Sequence, residues 1–167
     1  MPRTRQLQAA AADAAGTSRL RVRTAAPGTL ERAVAVLGRR RSAWLGESVG
    51  KPAKGGAGRY LIDLELRVGE AAPRVTFRKA AYVDVGPLVT DPEGPSLEIS
   101  WQAAGLTPLF PVFAGRLSWL DGTLYLDGYY APPGGGVGAL ADKLLLNVAA
   151  RATAKRLLER IADVIRA

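Results

Sequence analysis

Residues 113–130 read FAGRLSWLDGTLYLDGYY, two strand-like runs that are separated only by the dipeptide Asp121-Gly122. Asp-Gly is the dipeptide that a two-residue type I′ turn prefers, because both of its central positions take positive φ angles. Such a turn fixes the register of the hairpin, which then carries apolar side chains on one face and mostly polar ones on the other. The predicted apolar pairs are Trp119 with Leu124, Leu117 with Leu126, Gly115 with Gly128 and Phe113 with Tyr130, and the predicted pairs on the other face are Leu120 with Thr123, Ser118 with Tyr125, Arg116 with Asp127 and Ala114 with Tyr129.

A long helix follows this hairpin in the sequence. After the run Pro132-Pro133-Gly134-Gly135-Gly136, a helical pattern continues to the C-terminus and predicts one helix of about 28 residues. At 1.5 Å per residue this helix is roughly 40 Å long, which is enough to cross a small sheet and cover its apolar face. Its predicted apolar face consists of Leu140, Leu144, Val148, Leu158, Ile161 and Ile165, with Leu145, Ala149 and Ala152 beside them.

The first part of the chain predicts one strand, short helices and the rest of a sheet. Residues 18–24 alternate apolar residues with arginines, which is typical of a half-buried strand. Thr29 is the predicted N-cap of a short helix, and residues 42–47 predict a second short helix or turn. Alternating patterns then predict strands over 59–68, 74–85 and 97–102, with turns at 70–73 and 91–95. The predicted core residues of the two helices are Leu30, Ala33, Val34 and Leu37 in the first, and Trp44 and Leu45 in the second.

These elements predict an α+β fold. We expect a curved antiparallel sheet of about six strands, short helices after strand 1, and the long C-terminal helix packed across the sheet. Residues 1–17 are rich in alanine and are predicted to form a flexible N-terminal tail, while residues 18–167 form a single domain.

The composition excludes several classes of chemistry. The chain of 167 residues contains no histidine and no cysteine. Ser-His-Asp and Cys-His catalysis, the usual zinc sites and disulfides are therefore excluded, and we expect no metal and no cofactor. Residues 136–141 formally match a dinucleotide-binding fingerprint, but the second parallel strand of that unit is missing. No apolar run is long enough to span a membrane and the N-terminus is a poor signal peptide, so a cytoplasmic protein is predicted.

The positive charge is concentrated at the N-terminus. The chain carries a net charge of +8, and residues 1–59 hold 12 Lys and Arg against 3 Asp and Glu. This excess is consistent with binding to nucleic acid or another anionic surface. The alternative is a compositional bias, since Arg outnumbers Lys 18 to 5 and no aromatic residue interleaves the basic positions before Trp44.

Two features of the predicted inner face leave alternatives open. Lys79 lies between Phe77 and Ala81 among the inward-facing positions of its predicted strand. There an ammonium group shielded from water would act as a base, an imine former or a counter-ion to a ligand carboxylate. A β-bulge or a snorkelling side chain would instead bring Lys79 to solvent. Gly115 and Gly128 lie opposite each other, which indicates either the floor of a ligand cavity or close packing in a curled sheet.

The order of elements resembles the helix-grip fold of the START-like (SRPBCC, Bet v 1-like) superfamily. The resemblance covers residues 18–166 in element order, and the run PVFAGRLSWLDGTLYLDGYYAPPGGGVGALADKLL looks like the last hairpin and gripping helix of bacterial members. The resemblance implies a cavity between helix and sheet that binds hydrophobic molecules such as lipids, sterols or polyketides. Some members of this superfamily are polyketide cyclase/dehydrase-type enzymes or hydrolases, and others only carry ligands.

The sequence supports four hypotheses. The first is non-catalytic binding of a hydrophobic or amphipathic ligand, with Lys79 orienting its polar end. The second is a cyclase- or dehydratase-type enzyme that uses Lys79 or Tyr130 for proton transfer. The third is an anion-binding protein whose basic N-terminal third docks on nucleic acid, and the fourth is a filled core without a cavity. The predicted ligand-binding residues are Tyr60, Phe77, Lys79, Trp101, Phe113, Leu117, Trp119, Leu126, Tyr130, Leu144 and Val148.

Overall fold

The computed structural model describes residues 17–46, 49, 57–68, 75–104, 112–131 and 140–167. For residues 64–68, 75–79, 140–147 and 149 it describes the backbone only. The predicted N-terminal tail, apart from Thr17, and the glycine-rich connection before the long helix lie outside the described residues.

The elements follow the predicted order. The strands are β1 (Ser18–Ala25), β2 (Gly58–Val68), β3 (Val75–Val85), β4 (Val89–Asp91), β5 (Gly94–Ala103), β6 (Val112–Leu120) and β7 (Thr123–Ala131), and the helices are α1 (Leu30–Gly38), α2 (Ser42–Leu45) and α3 (Leu140–Arg166).

The sheet is antiparallel and has seven strands in the order β1-β7-β6-β5-β3-β2, with β4 paired to β5. The N-terminal strand thus pairs with the last strand. α3 packs against both β1 and β2, the two edge strands. Six flat strands would place those edges about 24 Å apart, which is roughly twice the diameter of a helix. The sheet is therefore curved around α3, and the predicted α+β helix-grip arrangement is confirmed.

The predicted hairpin register is confirmed at every pair. Trp119 lies opposite Leu124 and Phe113 lies opposite Tyr130, with the glycine pair between them. Asp121 and Gly122 form the turn with φ angles of 46° and 75°. Both values fall in the left-handed region that a type I′ turn requires.

The predicted turn at residues 91–95 is wrong in its extent. Asp91 ends β4 and Gly94 begins β5, so that only Pro92 and Glu93 form the turn between two paired strands. The Asp91 carboxylate accepts a hydrogen bond from the Glu93 backbone N–H at 3.0 Å, a local turn contact that aspartate favours. β4 has only three residues, too few for alternation to reveal it in the sequence.

The two short helices form as predicted, but α1 is rotated about its axis. Thr29 caps α1, because its Oγ1 accepts the backbone N–H of Arg32 at 3.2 Å. Val36 is buried, whereas the sequence predicted Val34 as the core residue of this turn. Leu30, also predicted to face the core, is half exposed. The Arg32 guanidinium donates to the Val164 carbonyl of α3 at 3.2 Å, and this contact helps to set the rotation of α1. Trp44 and Leu45 of α2 are buried as predicted.

The C-terminal half of α3 supplies the described part of its core face. Leu158, Ile161 and Ile165 are buried, as predicted. Val148 is 50 % exposed although the sequence placed it on the apolar face. The other buried residues of the helix are Ala150, Thr153, Ala154, Leu157 and Ala162. No helix within the described ranges is long and apolar enough to cross a membrane.

Candidate functional site

Most of the predicted ligand-binding residues are part of the closed core. Phe77, Lys79 and Leu144 have no described side chains, and Val148 is half exposed on α3. The other seven residues are buried together under the helix: Tyr60, Trp101, Phe113, Leu117, Trp119, Leu126 and Tyr130.

Two aromatic residues of this core stack on each other. Trp101 and Phe113 are cross-strand neighbours whose rings stack with centroids 4.1 Å apart and planes at 19°. The Trp119 indole N–H donates to the Ala26 carbonyl at 2.9 Å, and the Trp44 indole N–H donates to the Val36 carbonyl at 3.0 Å. These two indoles therefore have protein partners for their polar atoms.

Phe113 also fills the space left by the glycine pair. A Cβ atom added to Gly115 would lie 2.6 Å from Phe113 Cζ, and one added to Gly128 would lie 2.8 Å from the same atom. These distances are shorter than normal van der Waals contacts, so a side chain does not fit at either position. Glycine is therefore required where the two strands and the Phe113 ring meet. At this position close packing, rather than a ligand cavity, explains the glycines.

The edge of the sheet formed by β2 and β3 differs from the rest, because these two strands extend further than their neighbour β5. β3 pairs with β5 only from Ala81 onward, whereas it pairs with β2 along its whole length. The Ala104 backbone N–H still donates to the Ala80 carbonyl at 2.9 Å, and within the described residues the five pairs from Leu64 with Lys79 to Val68 with Val75 form a two-stranded ribbon beyond that contact. In this ribbon Lys79 lies opposite Leu64 and Phe77 lies opposite Leu66.

The ribbon lies at the end of the molecule where α3 begins. β7 ends there at Ala131, next to Val112, and the chain continues to Leu140 at the start of α3. The other end of α3 lies beside the start of α1, since a Cβ added to Gly28 would lie 2.7 Å from the Ile165 side chain. The ribbon, the first turns of α3 and the stacked pair of Trp101 and Phe113 thus lie toward the same end of the fold.

Arg41 is a buried cation that the sequence patterns did not single out. The residue is 3 % exposed, and its guanidinium donates to the carbonyl oxygens of Leu37 at 2.9 Å and Gly86 at 2.8 Å, while Nη1 has no partner. Burial lowers the pKa of Arg41, and the nearby Tyr60 opposes this shift. The contacts connect α1 with the residue after β3, which indicates a structural role.

A polar pocket of about 340 Å³ lies between α3 and the exposed side of β2. Its lining mixes both charges, and the one uncharged polar residue, Thr153, is buried with an unpartnered Oγ1. Within the described ranges no three acidic side chains are close enough to hold a metal ion. The lining residues are Asp63, Thr153, Arg156, Leu157, Glu159, Arg160 and Asp163.

The carboxylates of the sheet do not converge on a reaction centre. Asp84 forms two hydrogen bonds of 2.7 Å with the guanidinium of Arg59. Asp63 is exposed. Tyr130, which the sequence considered for proton transfer, is buried in the core.

No protein-family model matches the chain, and no curated protein matches it in sequence. Among solved structures, the chain is similar to DynU16, a protein described as belonging to the dynemicin biosynthetic locus, with a TM-score of 0.44 and 16% sequence identity. The similarity covers 89% of this chain and 47% of DynU16, so the chain spans about half the length of that protein. A likeness at this level leaves the function to be argued from the residues of the chain itself.

Proposed function

We propose that the protein binds a hydrophobic or amphipathic small molecule, without catalysis, between the β2–β3 ribbon and the first half of α3. The observation that carries the proposal is the extension of β2 and β3 by five residue pairs beyond the described part of β5, at the end where α3 begins. Over these pairs β3 has no second strand neighbour among the residues that the structure describes, and a two-stranded ribbon needs another partner for an apolar face. The sequence of the ribbon supplies such a face through the alternation of Leu64, Leu66 and Val68.

The packed aromatic core defines the inner limit of the proposed site. Trp101 and Phe113 occupy the middle of the sheet, so the ligand would lie on them rather than replace them. Burial of apolar ligand surface would drive binding, and a small number of polar groups would set the orientation. This arrangement agrees with membership of the START-like superfamily, which we propose on the order of elements.

Lys79 is the residue that we propose to orient the ligand. It is the only lysine within the ribbon pairs, in register with Leu64, and its neighbours of the same parity are Phe77 and Ala81. An ammonium at the rim of an apolar site favours a ligand that ends in a carboxylate.

The first experiment is native mass spectrometry of the protein purified from its own host, compared with its denatured mass. A small molecule that is released on denaturation would support the proposal and give the ligand class. No adduct, together with no thermal shift across a panel of lipids and polyketides, would contradict it and favour a filled core.

The second experiment tests Lys79 with two ligands that differ only in their head group. We expect Lys79→Met to weaken binding of a long-chain fatty acid by about tenfold, because a charge-assisted hydrogen bond is lost. Binding of the matching fatty alcohol should stay within about twofold of the wild-type value. Displacement of a fluorescent fatty acid measures both affinities.

The matched control is Lys155→Met. Lys155 lies on the exposed side of α3, where its Nζ is 3.9 Å from Glu159. This substitution removes the same charge away from the ribbon and should change neither affinity. An equal loss for acid and alcohol in Lys79→Met would reject the orienting role of Lys79.

A further inference from the structure

The outer face of β1 and β7 carries a row of arginines beside a row of tyrosines. We define the Arg/Tyr stripe as Arg19, Arg21 and Arg23 on β1 and Tyr125, Asp127 and Tyr129 on β7. The register places Arg19 opposite Tyr129, Arg21 opposite Asp127 and Arg23 opposite Tyr125. The stripe faces away from the packed core and therefore takes no part in the ligand site proposed above.

We propose that the Arg/Tyr stripe binds single-stranded nucleic acid, with bases stacked on Tyr125 and Tyr129 and phosphates held by the arginines of β1. Arginines beside exposed aromatic rings are the combination that single-strand binding surfaces use, because stacking accepts any base and the cations follow the backbone. This proposal is independent of the function proposed for the inner face.

The two tyrosines are available for stacking. Tyr125 is 37 % exposed and Tyr129 is 36 % exposed, although both are aromatic residues in the middle of a sheet. They are four residues apart on the same face of β7, which separates their positions by about 13 Å along the strand. Two bases of an extended strand would therefore stack on this face with the intervening backbone beside β1.

Asp127 holds two of the three arginines in place. Its carboxylate accepts hydrogen bonds from Arg19 Nε at 3.1 Å, from Arg19 Nη2 at 3.0 Å and from Arg21 Nε at 2.9 Å. These contacts lower the pKa of Asp127, and the hydrogen bond from Arg19 is the largest cause. Each guanidinium keeps further N–H groups for a phosphate.

The stripe has a surplus of positive charge. Among the described residues Arg23 makes no hydrogen bond or ion pair, and its side chain is exposed. Three arginines against one aspartate leave a net charge of +2 on these six residues. Charge complementarity therefore favours a polyanion over a neutral partner.

The neighbouring strands set the direction in which the nucleic acid would run. Arg116 on β6, directly opposite Asp127, donates to Ser96 Oγ at 2.6 Å and to Asp91 at 3.3 Å, and Glu98 lies opposite it on β5. The positive surface therefore gives way to a balanced one beyond β7. A strand laid along β1 and β7 would stay on the positive part of the sheet.

A single strand suits this surface better than a duplex. Stacking on a tyrosine requires a base whose face is free, whereas the bases of a duplex are already stacked on each other. The surface is also only two strands wide, about 5 Å between backbones, which matches one nucleotide chain.

Fluorescence anisotropy with a labelled oligothymidylate of about 15 nucleotides tests the proposal on the full chain. For three phosphate contacts, the logarithm of the affinity should fall against the logarithm of the salt concentration with a slope of about −2. The double variant Tyr125→Ala/Tyr129→Ala should bind at least about tenfold more weakly, whereas Tyr125→Phe/Tyr129→Phe should bind like the wild type.

A charge-matched pair tests the arginines. Arg23→Gln should weaken binding and reduce the steepness of the salt slope by about 0.7. Arg40→Gln removes the same charge from an exposed position outside the stripe and should leave both quantities unchanged. Thermal unfolding of all four variants checks that they remain folded.

Three results would overturn the proposal. The first is no binding of the oligothymidylate by a wild-type protein at low salt. The second is binding that Tyr125→Ala/Tyr129→Ala leaves unchanged, since the surface would then be a simple anion site. The third is equal competition by heparin or by a duplex of the same length, because neither offers free base faces. None of these results bears on the ligand site between the ribbon and α3.

Discussion

Three consecutive arginines, Arg39, Arg40 and Arg41, have different roles in the structure although they are equivalent in the sequence. Arg39 and Arg40 are exposed, whereas Arg41 is buried and donates to two carbonyl oxygens. The carbonyls of Leu37 and Gly86 belong to segments that are 49 residues apart in the chain, so no local pattern indicates the contact. The positive charge of the N-terminal third is therefore only partly available at the surface.

We expect Arg41→Met to lower the free energy of unfolding by about 1–3 kcal/mol, since two buried carbonyl oxygens would lose their donors. The substitution also removes the cost of burying a charged guanidinium, which offsets part of this loss. The expected loss of stability is therefore smaller than that caused by breaking a buried ion pair. Urea denaturation followed by tryptophan fluorescence measures the change. Arg40→Met is the control and should stay within about 0.5 kcal/mol of the wild type. Equal stability of the two variants would show that Arg41 contributes nothing to the fold.

At the scale of elements, the hairpin of β6 and β7 is the part of the fold that follows most directly from local chemistry. Its turn and every pair of its register are those that Asp121-Gly122 predicts. By contrast, the rotation of α1 and the short β4 depend on neighbours from other parts of the chain. Amphipathic spacing identifies the helix and two of its buried residues, Ala33 and Leu37, but the burial of Val36 in place of Val34 depends on the elements packed around α1.

The glycine pair in this hairpin gives a prediction at the same scale. We expect Gly128→Ala to lower the free energy of unfolding by about 1–3 kcal/mol, because the added Cβ would overlap the Phe113 ring and the Gly115 backbone. Thermal or urea unfolding measures the loss. Ser118→Ala, on the outer face of β6, is the control and should change stability by less than about 0.5 kcal/mol. A stable Gly128→Ala variant would mean that unfilled space exists beside Phe113.

At the scale of the whole molecule, α3 holds the two edges of the sheet together. It packs against β1 and β2, which are the first and last strands of the sheet order. The β2–β3 ribbon extends from the sheet beyond the packed aromatic core. The proposed ligand site and the Arg/Tyr stripe thus lie on opposite faces of one sheet.

The C-terminal half of α3 should dominate the stability of the domain. We expect Ile161→Ala to lower the free energy of unfolding by about 2–5 kcal/mol, since Ile161 is fully buried against the core. Val148→Ala, on the same helix but half exposed, should cost less than about 1 kcal/mol. Chemical denaturation of both variants compares the two positions. A larger loss for Val148→Ala would contradict the described orientation of the helix.

The candidate site was only partly predictable. The sequence identified the inner-face aromatic residues correctly as one cluster, because alternation in strands assigns side chains to faces. It left open whether this cluster surrounds a space or fills it. That question depends on side-chain volumes from several strands at once, as the stacked Trp101 and Phe113 demonstrate.

Local rules were sufficient for the element order, the Thr29 cap, the Asp121-Gly122 turn and the hairpin register, because each depends on residues within a few positions of one another. The pairing of β1 with β7, the burial of Arg41 and the meeting of Arg19 with Tyr129 were decided only by the tertiary structure. The partners in the last contact are 110 residues apart in the chain. Contacts of this range form when the curved sheet closes on α3, and their geometry depends on the packing of the whole domain rather than on the preferences of any one segment.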